Sequence, residues 1–203
     1  MGCGNSKAAG ADNATKSPTK SSGNSGATNP KKGFVEEKAS NELKEKAKEL
    51  IANDDVKGFR ELLKEISPLQ NLDEEEGEDI TCLHVAAENN AYKVMQLMID
   101  WLKLMRREDD LKTFFNYNNI MSQTPVTYCI IRNNPECCYV LAKNGVIDWN
   151  YKTVRGWTLM ETAEACNSTS LDVLLEFKDG VEKDETRQER VKAIAARIEA
   201  SKN

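Results

Sequence analysis

The sequence predicts an all-α protein, a solenoid of about four helix pairs between an unstructured N-terminal tail and a charged C-terminal helix. Three observations predict it. From about residue 38 the apolar residues recur three and four apart, the period of an amphipathic helix. A helix–turn–helix–loop order then repeats, with opening threonines at 81, 124 and 158. Self-similarity of this kind marks stacked repeats. Residues 1–37 show no such period, and the expected boundaries are therefore 1–37, 38–178 and 179–203.

The tail is rich in Ser, Thr, Asn, Gly, Ala and Lys, with Phe34 and Val35 its only large apolar residues after Met1. It cannot bury enough surface to offset the entropy of ordering. As a coil of about 35 residues it has an expected reach of roughly 30 Å. Its first residues, Met1-Gly2-Cys3-Gly4-Asn5-Ser6-Lys7, fit an N-myristoylation signal, with Gly2 as acceptor once Met1 is removed and Ser6 at the Ser/Thr position. Cys3 is then placed for palmitoylation. A single myristoyl chain binds membranes only marginally, and a second chain adds roughly 0.8 kcal/mol per buried CH₂, on the order of 10 kcal/mol. Residues 1–35 carry five lysines against one acid, a net of +4 within a chain of net charge −5. Each such Lys contributes about 1 kcal/mol near an anionic leaflet. Ser17, followed by Pro18, is a candidate phosphorylation site whose charge would weaken that attraction.

The first helix pair is marked by Leu43, Ala47, Leu50 and Ile51, then by Val56, Phe59, Leu62, Leu63 and Ile66, with Asn53-Asp54-Asp55 between them as breaker and cap. An acidic loop, 73–79, follows. The second unit opens with Thr81-Cys82-Leu83-His84-Val85-Ala86-Ala87. Its second helix carries Val94, Leu97, Met98, Trp101, Leu102 and Met105 and is expected to run on to Asp110, with a loop near Phe114, Phe115 and Tyr117. The third unit opens with Thr124-Pro125 and ends its second helix at Lys143-Asn144-Gly145. The fourth opens with Gly156-Trp157-Thr158 and continues to Leu171, Leu174 and Leu175. The threonine intervals are 43 and 34 residues. After Gly180, Val191, Ile194, Ala195 and Ile198 form a narrow apolar stripe among charges, suited to capping the open end of the stack or to pairing with a partner.

The second unit resembles the Thr-Pro-Leu-His-x-Ala-Ala opening of ankyrin repeats, carried here by Thr81, Leu83, His84, Ala86 and Ala87 with Cys82 in place of Pro. Thr124, Pro125 and Gly145 continue the likeness in the third unit, and Gly156, Thr158 and Ala163 in the fourth. The resemblance covers about residues 40–177. It implies stacked helix pairs, a hydrogen-bonding role for His84 within the turns, and a partner surface on the hairpin tips. Those positions are Asn118, Asn119, Met121 and Ser122 on one tip, and Thr153, Val154, Arg155 and Trp157 on the next. The physics agrees, because one pair cannot hide its apolar face alone and Ala86 and Ala87 permit close helix approach. Thr81 is placed to cap its helix through its hydroxyl.

Signals for chemistry are sparse. His84 is the only histidine, so acid–base, metal or nucleophile work would have to run through it. Cys137 and Cys138 are the dithiol candidates, yet neighbouring positions on a helix point about 100° apart. Cys82, Cys129, Cys137, Cys138 and Cys166 read as small buried apolar residues. The run Asp73-Glu74-Glu75-Glu76 lacks EF-hand spacing. No cofactor, metal, nucleic acid or small-molecule substrate is expected, since nucleic acid binding needs a basic face and the chain past residue 35 is acidic. No run of 18 apolar residues spans a bilayer and no secretory h-region is present. The expected role is therefore an adaptor or scaffold, tethered to the cytosolic face of the plasma membrane and holding a protein partner. Such starts also resemble those of small flagellar-membrane proteins of protists, which makes a ciliary or flagellar membrane one address. The alternatives are a thiol- or metal-dependent enzyme using Cys137, Cys138 and His84, or a passive membrane-organising protein.

Overall fold

Short polar residues set where the helices begin. Ser40, Asp55, Thr124, Thr158 and Asp184 stand in extended backbone at helix N-caps, each with a side-chain oxygen accepting an N–H of the first turn. In the computed structural model, residues 40–72, 79–105 and 108–201 are described. The helices run α1 (Asn41–Ala52), α2 (Val56–Leu62), α3 (Cys82–Glu88), α4 (Tyr92–Met105), α5 (Glu108–Phe115), α6 (Pro125–Ile131), α7 (Pro135–Lys143), α8 (Leu159–Ala165), α9 (Ser170–Phe177) and α10 (Glu185–Ala200). The described residues are thus all-α, with no strand and one isolated bridge between Asn71 and Thr81.

The helices pack as pairs, α1 with α2, α3 with α4, α6 with α7 and α8 with α9. One row is formed by α1, α3, α6 and α8, each packed on the next, and a second row by α2, α4, α7 and α9. One continuous apolar core runs between the rows, from Ile51 and Phe59 through Leu83, Met98 and Ile130 to Leu174. Ala86 and Ala87 are wholly buried in α3, which lies between α1 and α6. Their small side chains let those three helices approach closely. A leucine at either position would overpack the seam.

The turn inside each pair has one recurring design. Asp54, Asn90, Asn133 and Asn167 all adopt left-handed backbone, with φ of 48°, 55°, 56° and 49°. Asn and Asp tolerate this region better than most side chains. The following residue donates its N–H to the carbonyl five residues back, Asp55 to Leu50, Ala91 to Ala86, Asn134 to Cys129 and Ser168 to Ala163. This is the Schellman closure of a helix C-terminus. The first three of these side chains reach the next unit. Asp54 Oδ1 accepts from the N–H groups of Lys93 and Val94 at 3.1 and 2.9 Å. Asn90 Oδ1 accepts from Cys137 N–H at 3.3 Å, and Asn133 Oδ1 from Thr169 N–H at 2.8 Å. Each unit therefore caps the outer helix of its successor. Asn133→Ala is expected to lower stability by about 2 kcal/mol, from lost hydrogen bonds and left-handed strain. Asn133→Gly, which keeps the backbone freedom, is expected to lose about half as much. Urea denaturation of both variants separates the two contributions.

Two elements differ from the sequence expectation. The loop expected near Phe114 and Phe115 is the end of α5, because Leu111, Phe114 and Phe115 lie three and four apart and turn one apolar face inward. Asn116 then ties this insertion to the third unit, donating to Val146 O at 2.9 Å and accepting from Asp148 N–H at 3.0 Å. The other element is α10. It lies across the outer helices α9 and α7, with Val191, Ile194 and Ile198 buried. Arg190 makes a two-pronged contact with Asp172 at 2.6 and 2.8 Å, and Arg197 meets Glu136 at 2.9 and 2.6 Å. Burial pushes the Glu136 carboxyl up, but hydrogen bonds from Asn90 and Arg197 outweigh it and leave it below its ordinary range.

Candidate functional site

The hairpin loops that enter α6 and α8 share one frame. In the first, Asn119 N–H donates to Gln123 O at 3.0 Å and Ser122 N–H to Asn119 O at 2.9 Å. In the second, 34 residues on, Thr153 N–H donates to Trp157 O at 2.9 Å and Gly156 N–H to Thr153 O at 2.8 Å. Ser122 and Gly156 occupy the same left-handed corner, at φ 54° and 77°. Gly156 meets no atoms where a Cβ would sit, so its backbone angle is what favours glycine there. Tyr151 Oη donates to Ser122 O and joins the two tips. Burial pushes the Tyr151 phenol up to about 12, so it keeps the proton it donates.

His84 fastens the first of these frames to α3. Thr81 N–H donates to its Nδ1 at 3.2 Å, and Thr81 Oγ1 lies 2.9 Å from the same nitrogen. Nε2 lies 3.1 Å from Gln123 O. An Nδ1 that accepts requires the proton on Nε2, which then donates to Gln123 O. Tyr128 and Tyr117 meet the ring edge-on at centroid distances of 5.4 and 6.4 Å. Burial drives the imidazole down to about 4, so it is neutral at physiological pH. Thr81, Thr124 and Thr158 each cap the helix they open, with different partners three residues on. These are the His84 ring, Thr127 and the Glu161 carboxylate.

The proposed contact residues divide into frame and surface. Asn119, expected on an exposed tip, is only 4% exposed. Its Oδ1 accepts Gln123 N–H at 2.8 Å and its amide reaches Tyr128 Oη at 3.2 Å. It builds the turn and offers a partner nothing. Thr153 takes the same part in the next tip, its Oγ1 accepting Trp157 N–H at 3.2 Å. Asn118 is half-buried with its Oδ1 enclosed, and Ser122 is half-buried at the corner. Met121, Arg155 and Trp157 point outward, the Arg155 guanidinium lying 5.4 Å from the Trp157 ring centre. Val154 and Ile120 are more exposed still, at 76% and 62%. Ile120 was not among the sequence candidates; the apolar pair Ile120-Met121 inside a polar turn is the signal that marks it.

The thiols offer little chemistry. Cys82, Cys129, Cys137 and Cys138 are buried, and burial pushes the Cys129 and Cys138 thiols well up. Cys166, expected to be buried, is exposed because it ends α8 at the turn, where the chain leaves the core. Among the described residues no group of His, Cys, Asp or Glu is placed to hold a metal ion, and no helix is long and apolar enough to cross a membrane. Gly2, Cys3 and Ser17 lie outside the described residues.

Fold and tips together define an all-α array of paired helices with ordered hairpin ends. No protein-family model and no curated protein matches the chain. The array is similar to a chain in the crystal structure of the yeast ribosomal protein Rps3 in complex with its chaperone Yar1. The match has a TM-score of 0.60 at 19% identity and covers 72% of this chain and 99% of that one. At that identity it is the fold that the two share.

Proposed function

We propose that the chain is an ankyrin-repeat solenoid that serves as an adaptor, held at the cytosolic face of a membrane by acyl groups on Gly2 and Cys3 and binding a protein partner. One observation carries the partner half of this reading. Two successive tips, set by matching hydrogen-bonded frames, project Ile120, Met121, Val154 and the stacked Arg155–Trp157 pair into solvent. Rigid apolar and aromatic anchors with an arginine beside them are the groups that dominate interface energies. A solved structure of similar fold holds a ribosomal protein with its chaperone, which suits an array used to hold another protein. The ankyrin assignment is supported by the threonine openings, the His84 bonds and the repeat of the tip frame. The membrane half rests on the seven-residue start and the basic tail, with Ser17 as a site for weakening leaflet attraction and a plasma, ciliary or flagellar membrane as address.

In this reading the chain has no catalysis of its own. The His84 nitrogens are occupied by Thr81 and Gln123, and Cys137 and Cys138 are enclosed. The test is proximity labelling in the source cell with wild type and Trp157→Ala. Truncating one interface anchor is expected to cost about 2 kcal/mol, roughly thirtyfold in Kd, and to deplete a specific labelled partner. An unchanged set of labelled proteins in Trp157→Ala combined with Met121→Ser rules out the tips.

A further inference from the structure

The last helix stands outside the repeat. It extends neither row of the stack and lies instead across the backs of α7 and α9. Val191, Ile194 and Ile198 are buried on its inner side. Beside them on the seat, Tyr139 of α7 and Phe177 of α9 meet edge-on at a centroid distance of 5.5 Å. The charges follow the same order on both sides. Arg187, Arg190 and Arg197 fall on the acids Glu176, Asp172 and Glu136 at 3.5, 2.6 and 2.6 Å, and Glu199 falls on Lys143 at 4.0 Å. The seat on α7 and α9 is thus matched, apolar strip and charge order alike, to the sequence of α10 itself.

Three features make this contact exchangeable. The helix is self-sufficient, 16 residues long with Asp184 as its own N-cap, past the length below which an isolated helix is marginal in water. Its tether is the single segment 178–184, which turns at Gly180 in left-handed backbone with φ of 78° and nothing near where a Cβ would sit. The seat is also loose. A gap of about 300 Å³ opens among Tyr139, Phe177, Gln188 and Val191. The enclosed Arg187 Nε and Glu176 Oε2 face each other without a hydrogen bond, and a buried ion pair held that way returns little of its desolvation cost.

We propose that a second copy of this chain supplies the alternative occupant, two chains exchanging α10 so that each lays it on the other's α7 and α9. The contacts of α10 with α7 and α9 then recur twice, in two-fold symmetry. Exchange costs only the association itself and the reshaping of the 178–184 segment. The assignment needs neither the acyl anchors nor the tips. Where those hold, a pair so joined presents both twice, and linked sites bind with avidity.

The test uses full-length chains and light scattering after size exclusion. In one variant Arg190→Glu and Arg197→Glu reverse α10; in a second, Glu136→Arg and Asp172→Arg reverse its seat. Each alone is mismatched both within the chain and across a pair, and is expected to stay monomeric. Mixed one to one they match only across the pair, and a heterodimer of twice the chain mass is expected. Wild type is expected to show a dimer fraction that rises with concentration. Gly180→Ala strains the left-handed turn of the closed form alone, and is expected to tighten that dimer roughly tenfold. Circular dichroism checks the reversed variants; if either fails to fold, wild type and Gly180→Ala decide. The proposal is overturned if the mixture of folded variants stays monomeric, or if wild type and Gly180→Ala both do at the highest soluble concentration. A wild-type dimer that persists in the Arg190→Glu, Arg197→Glu variant alone overturns it too, because the contact then lies elsewhere. So does a wild-type monomer whose α10 amides exchange freely with deuterium, which leaves the seat to the helix of a different partner.

Discussion

His84→Ala is expected to lower stability by about 3 kcal/mol at neutral pH, and His84→Gln to remove most of the acid sensitivity that this residue confers. The alanine leaves Thr81 N–H, the Thr81 hydroxyl and Gln123 O without their partner in a buried site, at about 1 kcal/mol or more each, and it opens a cavity beside Tyr128. The sign of the pH effect follows from burial. The folded imidazole titrates near 4, against an ordinary 6.5. Between those values the unfolded chain binds a proton that the folded chain excludes, so stability falls as pH falls. The contribution is complete above 6.5 and lost progressively down to about 4. That gap corresponds to about 3 kcal/mol. Urea midpoints at pH 7 and 4.5 for wild type and His84→Gln check it, with equal pH dependence in the two proteins as the opposing result. His84 is the chain's single histidine, so its ring resonance can also be titrated by NMR without assignment. A midpoint near 6.5 would show an open, solvated ring.

Gly2→Ala is expected to move the protein from the membrane fraction to the soluble fraction. Without an N-terminal glycine there is no myristoyl acceptor, and without the first chain Cys3 is not brought to the membrane for the second. Cys3→Ser is expected to leave a weak, reversible association, because one myristoyl chain and a few lysines hold a protein only marginally. Fractionation of the three proteins from the source cell measures the order. Gly2→Ala that stays with membranes overturns the lipid reading and leaves the tips untouched.

How much of this was legible in the sequence varies by element. The helix periods, the opening threonines and the His84 motif stand in the linear order because they are local, needing neighbours only three or four residues away. The left-handed Asp54, Asn90, Asn133 and Asn167 were legible in principle, as Asp or Asn recurring at one point of every unit. Their reach to the next unit's helix was not, since those bonds join residues 36 to 47 apart. Phe114 and Phe115 were ambiguous for the same kind of reason, because an aromatic pair beside a polar stretch suits a loop or a short helix until the packing surface is known. Asn119 and Cys166 show the limit most directly. A polar residue in a hairpin was read as exposed and a cysteine after a helix as buried, and both were reversed by where the turn placed them.

The sequence by itself determined the all-α class and the position of the repeating openings, because those depend on residue spacing along one helix. It also carries the start Met1-Gly2-Cys3 on which the proposed lipidation rests, a linear pattern of the kind read by enzymes and not by folding. The tertiary structure decided which tip residues build the frame and which face solvent. It also decided that α10 lies across α7 and α9 and leaves the rest of the outer row open. Those outcomes depend on which surfaces meet when pairs stack, and burial and charge matching across the stack join residues far apart in the chain.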